Sequence, residues 1–435
     1  MIRSRAWTGK RYAVLGLARS GLATVAALIA SGAEVLAWDD RAEARDEAAK
    51  LGASISDPLE ADLTGMAGVI VSPGVPLNRH PIAAHAKAAG VPIIGDIELF
   101  AQARAELPPH RVVGITGTNG KSTTTALVHH ILKTAGVPTT MGGNIGLPIL
   151  GQQPLPAGGV YVLELSSYQI DLTFSLDCDV AVLLNVTPDH LDRYADFAAY
   201  EFAKARLFSM QSETSNAIIS GDPVSVSRVG DIFDDGRLPF RGRSGFPMPS
   251  AESLMPYLSD ALNGPHNAAN AANAMLAAQI LGVVEPQVLE ALSTYPGLPH
   301  RMERVGEHNG VAFINDSKAT NAEAAAPALA AFRAVRWILG GRAKTAELDA
   351  CLPHLGHVRS AYTIGEAGPM LADLLRPKLP VTEAETLERA VTAAAADAQS
   401  GDTVLLSPAC ASFDQFRDFE DRGDQFRALV KGLKA

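Results

Sequence analysis

Short apolar runs alternate along this chain with longer segments of helical period. In the first hundred residues the runs are Tyr12–Leu15, Glu34–Trp38, Val69–Val71 and Pro92–Ile94, and Leu22–Ala30 reads as a helix. Residues 98–110, with Ala101-Gln102-Ala103-Arg104 and Pro108-Pro109, read as a linker. Strands then recur at Val112-Val113, Val160–Leu165, Val180–Val186 and Ala217–Ile219, with a turn at Met141–Gly146 and a helix over Tyr200–Phe208. Gly264-Pro265-His266-Asn267 opens an Ala-rich helix. From Pro299 onward the strands are Val311–Ile314, Val335–Leu339, Ala361–Ile364 and Thr403–Leu406. Strands alternating with helices predict parallel α/β sheets. The Ala-rich stretches 268–278, 322–334 and 391–397 read as ordinary helices, since Ala is the best helix former.

Composition sharpens this in a few respects. With 435 residues, 47% of them hydrophobic and 19% charged, the chain can bury several cores and is not disordered. Its net charge is −10 and it has no Lys/Arg-rich run, so neither nucleic acid nor an anionic membrane is expected as a partner. Cys178, Cys351 and Cys410 are far apart and show no metal-ligand spacing, which suits a reducing compartment. No signal-peptide pattern opens the sequence, and no apolar run approaches about 18 residues. A cytoplasmic protein is expected.

The most informative stretch is Gly114-Ile115-Thr116-Gly117-Thr118-Asn119-Gly120-Lys121-Ser122-Thr123-Thr124. It lies between an apolar strand and a helical pattern, the context of a phosphate-binding loop. Backbone N–H groups of such a turn and the helix N-terminus face an anion. Lys121 would reach the β/γ-phosphates and the Ser122 hydroxyl would sit on Mg²⁺. The glycines at 114 and 117 depart from the usual spacing of this motif.

Other candidate residues fall at strand ends, where open α/β sheets bind ligands. Gly16-Leu17-Ala18-Arg19-Ser20-Gly21 resembles a dinucleotide turn, with Asp39 following about 20 residues later. Ala18 replaces the middle glycine, so a different nucleotide-like ligand is favoured over NAD, held by Leu17, Ala18, Asp39, Arg41, Ser72 and Gly74. A plain strand–helix turn is the other reading. Glu164, at the end of an apolar strand, either completes a Mg²⁺ shell or pairs with Lys121. His190, beside Asp189 and Asp192, could bind a second divalent ion, orient substrate or be structural. Lys204 reads by itself as a solvated helix lysine. In the last third, Asn315-Asp316-Ser317-Lys318, Gly340-Gly341-Arg342-Ala343-Lys344 and Ser407-Pro408 look like one site.

Together these residues resemble the Mur ligases, ATP-dependent amino-acid ligases. The matching motifs are Gly117–Thr123, Glu164-Leu165-Ser166-Ser167, Asn185–Asp192, Gly264-Pro265-His266-Asn267 with Asn270, and Pro299-His300-Arg301. Within the family, Asn315–Asn321 and Leu406–Phe416 resemble the D-glutamate-adding branch. The resemblance covers essentially the whole chain. It implies a Rossmann-like domain at 1–97 for the UDP end of UDP-N-acetylmuramoyl-L-alanine. A central phosphate-loop ATPase-type domain follows at 98–298 for ATP and Mg²⁺, and a Rossmann-like domain at 299–435 presents D-glutamate. Gly117, Thr118, Asn119, Gly120, Lys121, Ser122 and Thr123 would hold the phosphates. Asn267, Asn270, Arg301 and Asp316 would hold the adenosine side, and Asn144 and His190 the muropeptide. Lys318, Thr320, Lys344, Ser412 and Phe419 would hold D-glutamate, although Arg342 stands where Asp or Asn is more usual. Lys204 matches a carbamylated lysine, which would bind a second Mg²⁺ with His190, alongside a first on Ser122 and Glu164. A monomer is expected.

Competing readings are a ligase for another amino acid, a folylpolyglutamate-type ligase, and a non-catalytic nucleotide switch or NAD sensor. The C-terminal motifs disfavour L-alanine and diaminopimelate adders. The Rossmann-like unit ahead of the phosphate loop disfavours the folylpolyglutamate type.

Overall fold

Each predicted apolar run forms a strand, and the strands assemble into three sheets. The computed structural model describes residues 1–189, 193–221, 223–236, 238–240, 242–245, 247–262, 265–343 and 347–433. The chain divides into two units, Met1–Tyr295 with two of the sheets and Pro296–Ala435 with the third.

The first sheet contains β1 (Arg11–Leu15), β2 (Glu34–Trp38), β3 (Ser54–Ile55), β4 (Gly68–Val71) and β5 (Ile93–Ile94). All pairings are parallel, in the order β3-β2-β1-β4-β5. The order reverses between β1 and β4, the crevice where such sheets bind ligands. The second sheet contains β6 (His110–Thr116), β7 (Thr139–Gly143), β8 (Gly159–Glu164), β9 (Val180–Leu183) and β10 (Asn216–Ile219), ordered β10-β9-β6-β8-β7 and also parallel. β6, which feeds the phosphate loop, is therefore central.

Two expectations for this unit change. The turn foreseen at 141–146 begins later, because Met141–Gly143 extends along β8 as part of β7. The segment foreseen as a linker is mostly the helix Asp96–Ala103, with Ile97, Leu99 and Phe100 buried in a core that draws on both sheets. Burying each such large side chain is worth roughly 1.5–3 kcal/mol. Buried Glu98 adds polar ties by accepting from Phe174 N at 2.7 Å and Ser175 N at 2.9 Å.

The unit Pro296–Ala435 contains β11 (Glu303–His308), β12 (Val311–Asn315), β13 (Val335–Gly340), β14 (Val358–Ile364), β15 (Val381–Glu385) and β16 (Thr403–Leu406). Their order is β11-β12-β16-β13-β14-β15, with only β11 antiparallel. Separate apolar clusters pack around Trp337 and Leu405 and around Ile338 and Val404, as alternating strand residues demand. β12, β16 and β13 are neighbours, so their three polar C-terminal motifs lie side by side. Among the described residues, no helix is long and apolar enough to cross a membrane.

Candidate active site

The phosphate loop is built by its glycines and by a second loop that braces it. Gly117 and Gly120 take φ of 149° and 83°. At Gly120 a Cβ would be strained and would lie 2.3 Å from Asn270 Oδ1, so Asn270 packs directly on the loop. Lys121 then opens the helix Lys121–Thr134. Asn185, just beyond β9, accepts from Thr118 N at 3.0 Å through its carbonyl and from Asn119 N at 2.9 Å through Oδ1. Its Nδ2 donates to Asn119 O at 3.1 Å. Thr118 Oγ1 bonds Thr187 through both O (3.1 Å) and N (3.0 Å). The sequence marked 185–188 as a motif without assigning it this bracing.

Two lysines meet on the loop. Lys121 Nζ donates to Gly117 O at 2.9 Å and to Thr118 O at 2.7 Å. Lys204 Nζ donates to the same Gly117 O at 2.9 Å and lies 4.5 Å from the Tyr200 ring centroid. Lys204 is 1% exposed, which overturns its reading as a solvated helix lysine. The helix Phe197–Ser209 turns this side chain inward, with Tyr200, Leu207 and Phe208 also buried. Burial, then the charge of Lys121, push Lys204 down to about 7 against the opposing pull of Asp189 and Asp171. Much of its amine is therefore neutral near pH 7.

Glu164 ends β8 opposite Ile115 of β6 and Gly143 of β7. It is buried, and its Oε1 accepts from Asn144 Nδ2 at 2.8 Å. Its Oε2 is also buried and has no hydrogen-bond partner among the described residues, so the alternative pairing with Lys121 is not made through that atom. An orphaned carboxylate oxygen in a dry site is costly, and a hard cation relieves it. The chemistry of Glu164 and of the Ser122 hydroxyl thus suits Mg²⁺. His190 lies outside the described residues.

At the switch point of the first sheet the expected residues gather. Asp39 Oδ2 accepts from Leu17 N at 2.7 Å, and Oδ1 accepts from Arg41 N and Nε, both at 3.0 Å. Ser72 Oγ donates to Gly16 O at 2.9 Å, tying the Ser72–Gly74 loop to the turn before Ala18. Asp39 thus shapes the turn.

In the second unit, Asp316 follows β12. Its Oδ2 accepts from Ser407 Oγ at 2.7 Å and its Oδ1 from Met302 N at 3.2 Å. Burial pushes its carboxyl up to about 7 against these bonds and Arg301. Lys318 Nζ sits 3.9 Å from the Phe419 ring centroid. Thr320 is half-buried beside this motif, and Ser412 is buried in the turn after β16. Lys344 lies outside the described residues, although Arg342 pairs its backbone with Ala411. Asn267 and Asn270 belong to the first unit, and Arg301 and Asp316 to the second.

Sequence reasoning missed Arg422. It is fully buried and joins three strand ends: Nε donates to Ser317 Oγ (2.9 Å), Nη2 to Ser317 O (2.9 Å), Nη1 to Gly340 O (3.4 Å), and both Nη atoms to Cys410 O (3.1 Å). Glu420, Asp421 and Asp424 around it suggest a solvated face. The available signal was its i, i+4, i+8 spacing with buried Phe426 and Val430.

A phosphate loop on the central strand of a parallel sheet, beside the buried Glu164 that ends β8, is the arrangement of a nucleotide-using α/β enzyme. Three family models match: the Mur ligase MurD-like N-terminal domain over residues 10–95, the Mur ligase middle domain over 115–232 and the Mur ligase glutamate ligase domain over 300–410. The chain belongs to the Mur ligase family. It is 61% identical to the UDP-N-acetylmuramoylalanine--D-glutamate ligase of Novosphingobium aromaticivorans, over 100% of this chain and 97% of that one. It is 58% identical to the protein of the same name from Sphingopyxis alaskensis, over 100% of both. The solved structure of the UDP-N-acetylmuramate-alanine ligase MurC from Thermotoga maritima matches with a TM-score of 0.59, covering 98% of this chain and 100% of that one. At 18% identity that likeness concerns the fold alone.

Proposed function

We propose that this chain is an ATP-dependent ligase that adds D-glutamate to UDP-N-acetylmuramoyl-L-alanine in cytoplasmic peptidoglycan precursor synthesis. The observation that carries the reading is the phosphate loop with two lysines on one carbonyl and a half-orphaned Glu164 at the neighbouring strand end. In this reading the L-alanyl carboxylate attacks the γ-phosphate of ATP, giving an acyl phosphate and ADP. The D-glutamate amine then attacks the acyl carbon, phosphate leaves and an amide forms. Lys121 and the helix N-terminus behind it offset the negative charge that otherwise repels the nucleophile. Mg²⁺, when bound, would be held by Ser122 and Glu164 and would add to that neutralisation.

Lys204 has a second job in this reading. Its neutral amine attacks carbon dioxide, forming an N–C bond and releasing one N–H proton to solvent. The resulting carbamate is an anion, suited with His190 to a second Mg²⁺. Asn267, Asn270, Arg301 and Asp316 would hold the adenosine, and Asn144 and His190 would contact the muropeptide. Leu17, Ala18, Asp39, Arg41, Ser72 and Gly74 take the UDP end. Lys318, Thr320, Lys344, Ser412 and Phe419 take D-glutamate, whose two carboxylates need two cationic centres. We read the working form as a monomer of three domains, 1–97, 98–298 and 299–435.

The test is ADP release with UDP-N-acetylmuramoyl-L-alanine and a panel of D- and L-amino acids. Turnover with D-glutamate alone is expected. Turnover with L-glutamate but not D-glutamate would overturn the reading. So would calorimetric binding of NAD without binding of the muropeptide.

A further inference from the structure

Between the Ser72–Gly74 loop and the phosphate loop runs a stack of tyrosines that the proposed chemistry leaves unused. Tyr168 stands in the helix Ser167–Asp171, just after Glu164. Its ring stacks on Tyr194 at 6.0 Å and 16°, and Tyr194 lies 5.4 Å from Tyr200. The Tyr200 hydroxyl is 3.3 Å from Thr118 Oγ1, and its ring centroid lies 4.5 Å from Lys204 Nζ. Tyr194 is fixed by donating to Asp171 Oδ2 at 2.8 Å.

The far end of the stack is closed by Arg193. Its guanidinium carbon lies 4.3 Å from the Tyr168 ring centroid, and its Nη2 donates to Pro73 O at 2.8 Å. Pro73 belongs to the first sheet's loop and Tyr168 to the second sheet's site. Among the described residues no carboxylate pairs with Arg193, so this cation is not placed by an ion pair. An aromatic face and one carbonyl place it instead. Both anchors are directional, and a guanidinium suits them because it stacks flat and donates in its own plane.

We propose that Arg193 is a positioning residue that clamps the Ser72–Gly74 loop against Tyr168 and thereby sets the affinity for the UDP-linked substrate. The inference rests on the reading that this loop contacts that substrate. Without the clamp, the loop must be ordered at the moment of binding, and the cost falls on substrate affinity. The nucleotide side is unaffected, because the phosphate loop keeps its bonds to Asn185 and Thr187.

Steady-state kinetics of the full chain test this. Arg193→Ala should raise the KM for UDP-N-acetylmuramoyl-L-alanine about tenfold and leave kcat and the KM for ATP within about twofold. Arg193→Lys, which keeps a cation but cannot stack flat and donate in plane at once, should recover only part of that loss. Tyr168→Ala should raise the same KM, and the double variant should add little to either single change, since both remove one contact. Multiplying effects in the double variant would overturn the clamp. So would an unchanged muropeptide KM in Arg193→Ala, or a lowered melting temperature with both KM values moving together. If the wild-type chain does not use the muropeptide at all, the functional reading fails and the clamp with it. Wild-type turnover with an unchanged KM in Arg193→Ala defeats the clamp alone.

Discussion

The two units treat buried charge in opposite ways at the ends of their central strands. Around β6 and β8, two lysines share the carbonyl of Gly117, and one oxygen of Glu164 has no hydrogen-bond partner among the described residues. Around β12, β13 and β16, Arg422 spends its donors on three backbone carbonyls and a hydroxyl, and each oxygen of Asp316 accepts a bond. Buried like charges crowded on one carbonyl, beside a carboxylate oxygen left without a hydrogen bond among the described residues, suit a place that charge will enter from outside. Compensated charge like that of Arg422 is scaffold, holding loops that meet a ligand with other side chains. The first site should therefore lose chemistry when its charges are removed and keep its stability. The second should do the reverse.

The largest effect is expected at the phosphate loop. Lys121→Ala should lower turnover by about a thousandfold, on the scale of removing a preorganised charge that stabilises a transition state. Lys204→Ala should also abolish most activity, and short carboxylic acids should restore part of it by supplying the missing anion. The stability of Lys204 variants makes the comparison sharper. The folded amine titrates near 7, below its ordinary 10.5. Its stability contribution is present above 10.5 and is lost as pH falls toward 7. Lys204→Met, which keeps the apolar stem, should therefore be more stable than the parent at pH 7 by on the order of a few kcal/mol. A thermal melt of an inactive but stabilised Lys204→Met protein is the expected result. A destabilised one would mean that the amine is compensated after all.

The same contrast governs how much of the molecule could be read from its sequence. Strands such as Val160–Leu165 were legible because β-branched and apolar runs must be buried on both faces of a parallel sheet. Ser54–Ile55, Thr139–Gly143 and Val381–Glu385 were not, being edge strands with polar or glycine residues and little apolar signal. Lys121 and Ser122 were legible as chemistry because a glycine-rich turn between strand and helix has few other uses. Lys204 was not, since only the packing of its helix decides that this lysine points inward; the family resemblance alone marked it. Arg422 was hidden for the converse reason. Its neighbours in sequence are acidic, while its partners are carbonyls that belong to residues around 317, 340 and 410.

At the second site the expected loss is stability. Arg422→Met fills much of the same volume and removes every bond to Ser317, Gly340 and Cys410. Leaving buried carbonyls without donors should cost about 3–5 kcal/mol. The melting transition of the unit Pro296–Ala435 should fall accordingly, while nucleotide binding below that transition should stay within about twofold of the parent. An unchanged melting temperature with lost nucleotide binding would break the comparison, because Arg422 would then be acting on ligand and not on the loops.

The smallest effect concerns Asp316, and its sign is fixed by the direction of its shift. Burial pushes the folded carboxyl up to about 7, while an unfolded aspartate titrates near 3.9. Between those values the folded chain keeps a proton that the unfolded chain has lost. The resulting stability is complete below the unfolded value and is lost as pH rises through 7. Melting temperature should thus decline from pH 5 to pH 8. Asp316→Asn preserves an acceptor and a neutral side chain, so it should flatten that slope and exceed the parent in stability at pH 8 by roughly 1–2 kcal/mol. If the slope survives in Asp316→Asn, the carboxyl is ionised in the folded state and compensated by a cation. Asp316 would then resemble Glu164 as a site for incoming charge, and the line between the two units would have to be drawn elsewhere.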